Sequence, residues 1–266
     1  WFSMLFIRPV FQAYDAILTA SPVTQQRLES LKVKNAVCDR YLGTDIQTFT
    51  DQTSDPNFFQ THYNINNTQT KIKLTFLGRL TPDKGWKFTL RALSDWATNP
   101  ENADYINQVV LIIAGEGDLR AEIESQLQQT GLSYHLLGRI APAAVPPLLA
   151  NSDIHITTSE KETLGLTVLE AFAAGIPVIA PNAGGVVTHI RSGQNGLLFD
   201  PQSSVSFSQK LTSLIASTEL RKKMGQQAQQ NISSYSHEKA VATLIETWRY
   251  FHSKRTKRPL DSSVKT

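Results

Sequence analysis

Two cations lie five positions apart in the stretch GRLTPDKG. Gly78 at its start allows close approach of a ligand to the backbone, and Arg79 and Lys84 carry the charges. An Arg fork matches phosphate oxygens, Lys supplies a compact charge, and a helix beginning near Lys84 adds the positive end of its dipole. Such a set would suit a diphosphate, although both side chains can equally be solvated loop charges.

Two acids surround a small apolar turn further along the chain. The stretch SEKETLGLTVLEAFAAG places Glu162 and Glu170 eight positions apart around Leu164, Gly165 and Leu166. A helix beginning near Leu166 leaves the amides of Gly165 and Leu166 free to bind a phosphate or sugar oxygen. Glu170, about one turn further, can accept hydrogen bonds from two neighbouring hydroxyls, as ribose binding requires. The alternative is structural, because acids near a helix N-terminus are favourable by roughly 0.3 to 1 kcal/mol without a ligand.

Three further loops carry weaker signals. In Gly138-Arg139-Ile140, Arg139 can stack on a nucleotide base or face water. The stretch AGEGDLR resembles the start of a dinucleotide-binding fingerprint, but Arg120 stands where the third glycine should fall. We therefore interpret it as a turn followed by a helix cap at Asp118. The glycines of NAGGV either present a second set of amides or only make a turn.

No pattern in the sequence indicates metal or nucleophile chemistry. None of the six histidines has a partner four positions later, and Cys38 is the single cysteine, which excludes an internal disulfide and a thiolate metal site. The sequence contains no P-loop, no G-x-S-x-G elbow and no Cys–His pair. We therefore expect neither a metal nor a cofactor, and hydrolases and nucleotide triphosphatases lose support.

Short apolar runs alternate with longer helical stretches from about residue 70. This alternation is typical of βαβ units around a parallel sheet, in which ligands bind beyond the carboxyl ends of the strands. The predicted strands are Leu74–Leu77, Val109–Ile113, His135–Leu137, Ile154–Thr157, Pro177–Ala180 and Gly196–Phe199. The predicted helices are Lys84–Ala97, Asp118–Gln129, Ala143–Ala150, Leu166–Ala174, Val186–Arg191, Pro201–Ala216, Glu219–Ile232 and His237–Phe251. All the loops named above then lie at carboxyl ends of strands.

The composition predicts a globular protein of the cytoplasm. The 266 residues, 41% hydrophobic and 18% charged, suffice for one large or two modest domains, and a lone cysteine fits a reducing compartment. The net charge of +3 owes much to HSKRTKR near the C-terminus, which we expect to favour acidic lipid headgroups at a membrane surface over nucleic acid. The apolar runs are far shorter than the roughly 18 residues of a membrane span. Because the chain begins with Trp1, we also expect a fragment or a processed product.

Five stretches, taken in order, resemble the C-terminal domain of retaining glycosyltransferases of family 4, which have the GT-B fold. They are FLGRLTPDKG, LIIAGEGDLR, LLGRI, SEKETLGLTVLEAFAAGIPVIAPNAGG and GQNGLLFDP, and the resemblance covers roughly residues 70–255. It implies an α/β fold with a Rossmann-like parallel sheet flanked by helices and extra C-terminal helices. It also implies a domain that binds a nucleotide-diphosphate sugar and transfers its hexosyl group with retained configuration, usually without a metal.

The resemblance implies roles for single residues. Arg79 and Lys84, beside Gly78, would neutralise the diphosphate leaving group, where negative charge builds in the transition state. Glu162 would contact the donor sugar. The other donor-binding positions are Leu164, Gly165 and Leu166 at the turn, Glu170 at the ribose, and Arg139 and Ile140 beside the base. The donor would be a UDP- or GDP-sugar, and the acceptor a lipid, a polysaccharide or a small molecule.

The resemblance also divides the chain. Residues 1–50 would be the end of a truncated N-terminal acceptor domain, and the polar residues 51–70 a linker. Residues 71–236 would form the donor-binding domain, 237–252 a helix that crosses back to the N-terminal domain, and 253–266 a disordered basic tail.

Two departures from the family pattern limit these implications. Thr188 stands where many members carry an acid after paired glycines, so no role is assigned to that position. The family's N-terminal glycine-rich loop, active-site histidine and acceptor site have no counterpart here. We therefore expect a chain that binds donor without completing transfer alone. Two alternatives stay open: a non-catalytic nucleotide-sugar-binding module, and a nucleotide-sugar epimerase of the same fold.

Overall fold

The computed structural model describes residues 9–38 and 42–256, with side chains described as far as 254. The chain forms two compact units, one comprising residues up to 43 together with residues from 235 onward, the other residues 44–234. Every candidate residue named above belongs to the second unit.

The elements of both units are numbered in chain order. The strands are β1 (Ile17–Thr19), β2 (Ala36–Cys38), β3 (Ile72–Leu77), β4 (Val109–Ala114), β5 (Tyr134–Gly138), β6 (Ile154–Ile156), β7 (Val178–Pro181) and β8 (Gly196–Phe199). The helices are α1 (Pro22–Ser30), α2 (Ile46–Thr50), α3 (Phe58–Tyr63), α4 (Trp86–Thr98), α5 (Ala103–Ile106), α6 (Arg120–Gln128), α7 (Val145–Ala150), α8 (Leu166–Ala173), α9 (Ser204–Ala216), α10 (Thr218–Asn231) and α11 (His237–Thr256). Short 3-10 turns occur at Pro82–Lys84, Pro100–Asn102, Pro142–Ala144, Gly185–Thr188 and Ile232–Tyr235.

The first unit contains a small parallel sheet of β1 and β2, joined by α1. Helix α1 begins after Ser21, because the Ser21 hydroxyl accepts a hydrogen bond from the Thr24 amide and proline is tolerated in the first turn. Helix α11 belongs to the same unit and continues to Thr256, beyond its predicted end at Phe251.

The second unit is built on six parallel strands in the order β5-β4-β3-β6-β7-β8. All six predicted strands are present, with ends displaced by no more than two residues. Strand β4, of sequence VVLIIA, is buried along its whole length, as expected for a strand covered on both faces. The predicted parallel sheet flanked by helices is confirmed.

The strand order reverses between β3 and β6. From β3 the chain adds β4 and then β5 toward one edge, returns to place β6 against the free side of β3, and adds β7 and β8 toward the other edge. Leu74 pairs with Ile154 and Thr75 with His155 across this junction. In open parallel sheets such a switch point leaves a crevice at the carboxyl ends of the strands, because consecutive loops diverge there.

Aromatic side chains hold the helices on one side of the sheet. Phe88 of α4 stacks on Phe199 of β8 with ring centroids 5.3 Å apart, and Phe207 of α9 meets Phe199 edge-on at 5.4 Å. The Trp96 indole N–H donates to the Thr212 hydroxyl, which satisfies a polar atom that burial would otherwise leave unpaired. Helix α4, which follows the loop that carries the candidate cations, is thereby fixed near both ends.

The predicted linker, residues 51–70, is part of the second unit instead. Helix α3 lies within it, and Phe58, Phe59 and Ile65 are buried in one cluster with residues of β4. Each aromatic ring can remove roughly 150–250 Å² from water, which outweighs the polar composition of the segment. The unit therefore begins at Thr44 rather than near residue 71.

Two other predicted features differ in the structure. The helix predicted at 186–191 is only the 3-10 turn Gly185–Thr188. The Asn195 side chain accepts from the Arg191 amide and donates to the His189 carbonyl, so it takes up backbone groups that a longer helix would use. Residues 253–256, predicted to belong to a disordered tail, are instead the last residues of α11. The rest of the predicted tail, residues 257–266, lies outside the described residues.

Within residues 9–38 and 42–256, no helix combines the length and the apolar character needed to cross a membrane.

Strand β6 contains a fully buried histidine. His155 Nδ1 lies 3.1 Å from the Thr75 carbonyl oxygen and Nε2 lies 3.2 Å from the Thr167 hydroxyl. The carbonyl needs a donor, so we assign the proton to Nδ1, and Nε2 then accepts from Thr167. Burial lowers the pKa of His155 to about 4, despite the opposing effect of the bond to Thr75.

We predict that His155 makes the free energy of unfolding depend on pH. In unfolded chains histidine titrates near 6.5, so between pH 6.5 and 4 the unfolded state binds more protons and stability falls as the pH is lowered. From pH 7 to pH 5 this group should cost about 2 kcal/mol. Urea denaturation at both pH values should show that loss reduced in His155→Leu and retained in His62→Gln, a control at an exposed histidine. Equal losses in His155→Leu and the parent chain would contradict the assignment.

Candidate functional site

The candidate residues of two loops meet at the switch point. Gly78, Arg79 and Lys84 from the loop after β3 and Glu162 from the loop after β6 line one cavity of about 30 Å³. We name residues 78–85 the cation loop and residues 157–165 the acid loop. A volume of this size holds about one water molecule, so the cavity is a notch at the surface and does not enclose a sugar nucleotide.

An ion pair joins the two loops. Lys84 Nζ lies 2.5 Å from Glu162 Oε1, and the two side chains are only 27% and 19% exposed. At this degree of burial the pair is screened less by water than a surface pair, and each charge reduces the cost of burying the other. The structure thus places Lys84 and Glu162 in direct contact, although they are 78 positions apart in the sequence.

Arg79 is paired more loosely. Its guanidinium contacts Asp83 Oδ2 at 2.8 Å, but the two side chains are 67% and 45% exposed, and exposed pairs contribute little. The hydrogen bond from the Thr81 hydroxyl, aided by the charge of Arg79, lowers the pKa of Asp83. Arg79 can therefore exchange Asp83 for a ligand anion at small cost.

The loop after β4 supports the cation loop. The Gly78 amide donates to the Ala114 carbonyl, the Leu80 amide to the Glu116 carbonyl, and the Leu119 amide to the Leu80 carbonyl. The stretch AGEGD thus makes a turn, as interpreted from the sequence. The predicted cap at Asp118 is wrong, because α6 begins after Leu119 and no side chain caps it.

The acid loop ends in the N-terminus of α8. Gly165 occupies the cap position with φ 82° and ψ 62°, a left-handed conformation that glycine adopts at no steric cost. Its carbonyl accepts from the Val168 and Leu169 amides, while the first amides of the helix have no intrahelical acceptor. Leu164 is buried, and Leu166 is 43% exposed beside these amides.

Glu170 lies one turn into α8. Its neighbours Leu169, Ala171 and Phe172 are buried, and Glu170 itself is partly buried. Burial raises the pKa of Glu170 above its ordinary value. A carboxylate whose hydration is reduced in this way gains more from hydroxyl donors that a ligand brings.

The loop after β7 braces the turn from the other side. His189 Nε2 donates to the Leu164 carbonyl at 2.9 Å, and the Gly185 amide donates to the Glu162 carbonyl at 2.6 Å. The Thr188 hydroxyl donates to the Gly185 carbonyl. His189 was not predicted as a site residue, and a lone histidine after paired glycines offers no pattern that would have indicated its contact.

Arg139 and Ile140 lie apart from the ion pair. They follow β5, the edge strand, which is separated from β3 by β4. Arg139 is exposed and Ile140 packs partly against the cluster that contains Phe58. Neither residue lines the notch that contains Glu162.

In the part of the chain that the structure describes, no group of three or more His, Cys, Asp or Glu side chains could hold a metal ion. The expectation that the protein works without a metal stays a prediction.

Comparison with known proteins assigns the family. The family described as Glycosyl transferases group 1 matches residues 59–231, which is more than half of the chain, and the chain belongs to this family. Its matched region contains every candidate residue of the cation loop, the acid loop and α8.

Curated relatives are longer than this chain. The D-inositol 3-phosphate glycosyltransferase of Rhodococcus opacus (strain B4) is 30% identical over 183 residues, covering 66% of this chain and 40% of the relative. The sulfoquinovosyl transferase of Arabidopsis thaliana is 29% identical over 150 residues, covering 55% of this chain and 29% of the relative. The chain thus spans less than half the length of either protein.

Solved structures share the fold. Anabaena Alr3699/HepE, crystallised in complex with UDP and glucose, superposes with a TM-score of 0.79 at 22% identity, over 94% of this chain and 67% of that one. Sucrose-phosphate synthase from Thermosynechococcus elongatus gives a TM-score of 0.79 at 19% identity, over 94% and 62%. The predicted GT-B-type fold is confirmed.

We predict strong coupling between Lys84 and Glu162. In urea denaturation, Lys84→Met and Glu162→Gln should each lower the free energy of unfolding by about 1–3 kcal/mol, because each leaves a partly buried charge without its partner. The double variant should lose less than the sum of the two. The cycle Arg79→Met and Asp83→Asn is the control, and its coupling should be much weaker than that of Lys84 and Glu162 because the pair is exposed. Additive losses at Lys84 and Glu162 would mean that the contact stabilises nothing.

Proposed function

We propose that this chain is the donor-binding part of a retaining glycosyltransferase of family 4, which transfers a hexosyl group from a UDP- or GDP-sugar to an acceptor. The observation that carries the proposal is the convergence of Arg79, Lys84 and Glu162 on one notch at the switch point. Membership of the group 1 family supports it, as does the likeness to a protein crystallised with UDP and glucose.

The proposed chemistry follows from where charge develops. When the bond between sugar and diphosphate breaks, negative charge builds on the leaving phosphate, and fixed cations stabilise that charge without reorganisation. Arg79 would turn from Asp83 to the diphosphate, and Lys84 would approach it from its position beside Glu162. Two side-chain cations supply positive charge that a metal would otherwise provide, so the proposal includes activity without a metal.

Other residues would hold the rest of the donor. Glu162 would accept hydrogen bonds from the sugar, and Glu170 from the two ribose hydroxyls. The amides at the start of α8, between Leu164 and Leu166, would bind a phosphate or sugar oxygen. Arg139 and Ile140, at the distant edge of the sheet, would lie beside the base, so the donor would extend across the carboxyl ends of β6, β3, β4 and β5.

The acceptor would be a lipid, a polysaccharide or a small molecule, bound by residues outside the donor site. The chain would work in the cytoplasm, and the basic stretch HSKRTKR, which begins within α11, would contact acidic headgroups if the acceptor lies at a membrane surface.

Calorimetry with UDP-glucose and GDP-mannose tests donor binding. We expect the intact chain to bind one of them, and Arg79→Ala and Glu170→Ala to weaken that binding about tenfold or more, since each removes a charged hydrogen-bonding group worth roughly 1.5–3 kcal/mol. Lys222→Ala, an exposed cation on α10, is the control and should bind like the parent chain. Absence of binding to the intact chain, or unchanged binding by both variants, would refute the site.

Product analysis separates the proposal from its two alternatives. The donor is incubated with this chain in one reaction and with a longer form of the protein, extended at its N-terminus, in a second reaction. Release of free nucleoside diphosphate and transfer by the longer form support a transferase. Binding without turnover in both forms would favour a non-catalytic binding module, and recovery of an altered nucleotide sugar would favour an epimerase.

We predict that acidification weakens donor binding through Glu170. The carboxylate form accepts hydrogen bonds from ribose, and because burial raises the pKa of Glu170, the neutral form accumulates at a higher pH than for an exposed glutamate. Affinity should be constant near neutral pH and fall as the pH drops through this raised pKa. Calorimetry should use UDP-glucose rather than UDP, since a terminal phosphate titrates near pH 6. In Glu170→Gln the affinity should be lower at neutral pH and no longer fall on mild acidification; an unchanged pH profile would assign the titration elsewhere.

A further inference from the structure

Three consecutive carbonyls of the cation loop face side-chain hydroxyls. Two of the hydroxyls come from the acid loop and the third from the first turns of α4. The contacts are Ser159 Oγ to the Asp83 oxygen at 3.0 Å, Thr158 Oγ1 to the Lys84 oxygen at 3.2 Å, and Thr89 Oγ1 to the Gly85 oxygen at 3.2 Å. We name Thr89, Thr158 and Ser159 the hydroxyl ladder.

The hydroxyl ladder is closed to water. Its three side chains belong to residues that are 1%, 5% and 2% exposed, and the Thr89 and Thr158 oxygens lie 2.6 Å apart. In a buried site an unmade hydrogen bond is not replaced by one to solvent. The ladder is therefore an obligatory set of contacts between the two loops.

The number of hydroxyl protons decides which group donates in each hydrogen bond of the hydroxyl ladder. Thr89 and Thr158 own one hydroxyl proton each but share three contacts: with each other, with the Lys84 carbonyl and with the Gly85 carbonyl. The Gly85 carbonyl already accepts from the Thr89 amide at 3.0 Å. The pairing that satisfies most groups has Thr89 donating to Thr158 and Thr158 donating to the Lys84 carbonyl.

Backbone contact reinforces the ladder at its centre. A Cβ at Gly85 would lie 2.4 Å from the Thr158 carbonyl oxygen, so the two loops touch through main-chain atoms where glycine leaves room. The Lys84 backbone is thus held by a hydroxyl on one side of this contact, while its side chain reaches Glu162 of the same acid loop. The Lys84 backbone therefore cannot shift without disturbing its contacts with the acid loop.

We propose that Thr158, supported by Thr89 and Ser159, is a positioning residue that fixes Lys84 for contact with the donor diphosphate. The proposal rests on the proposed function, because it needs a diphosphate as the ligand of Lys84. None of the three side chains was among the residues predicted from motifs. Their role follows only from the contacts that join the loops.

The test is a binding cycle with UDP as the probe. Thr158→Val keeps the shape of the side chain and removes the hydroxyl, which leaves the Lys84 carbonyl without its donor. We expect UDP affinity to fall about tenfold in Thr158→Val and to recover to within threefold in Thr158→Ser, which restores the hydroxyl. If Thr158 acts through Lys84, Thr158→Val should change UDP affinity less than twofold in a Lys84→Met background.

Controls keep the outcomes distinct. Thr212→Val removes a hydroxyl bonded to Trp96, on the far end of α4, and should leave UDP affinity unchanged even though it lowers stability. Ser159→Ala, which disturbs only the Asp83 carbonyl, provides a second variant if Thr158→Val fails to fold, and should weaken UDP binding about threefold. Equal losses in both backgrounds, or parent-like UDP binding by Thr158→Val and Ser159→Ala, would overturn the positioning role and leave donor binding intact. An intact chain that binds no UDP would overturn the proposed function and this role with it.

Discussion

The reversal of strand order between β3 and β6 is the constraint on which the rest of the structure depends. Parallel strands end at the same edge of a sheet, so their loops become neighbours only where the strands themselves are neighbours. By placing β6 beside β3, the fold sets a loop rich in cations against a loop rich in acids. Lys84 and Glu162 meet because of this order, and no property of either loop alone would bring them together. The Thr158 and Ser159 contacts exist for the same reason.

The two cations of the site are held with different strength. Arg79 pairs with an exposed carboxylate of its own loop, whereas the partly buried Lys84 pairs with Glu162 and its own carbonyl accepts from Thr158. One cation is therefore mobile and the other fixed. In electrostatic terms, the fixed charge gives a preorganised field at little reorganisation cost, while the mobile one can follow a ligand as it enters.

The sequence predicted the sheet well because buried parallel strands consist of short apolar runs bounded by turns, as in Val109–Ala114 and Gly196–Phe199. It also located the cation loop, the acid loop and Glu170, since these lie in a recognisable order of motifs. It missed the packing of Phe58 and Phe59, because two aromatics in a polar segment have no periodicity. It could not indicate His189, whose contact depends on how a distant turn is folded back.

The pairing of β3 with β6 has a consequence for how the molecule assembles. Strands β3, β4 and β5 follow one another in the chain. The pairing of β3 with β6, by contrast, joins Leu74 to Ile154, some eighty residues later. Closing this loop costs only about 0.7 kcal/mol more than closing the shorter one between Leu74 and Leu111, because the entropic cost grows slowly with loop length. The notch between the cation loop and the acid loop therefore exists only when β3 and β6 have paired. Binding of a ligand in that notch would therefore indicate that the two halves of the sheet are paired.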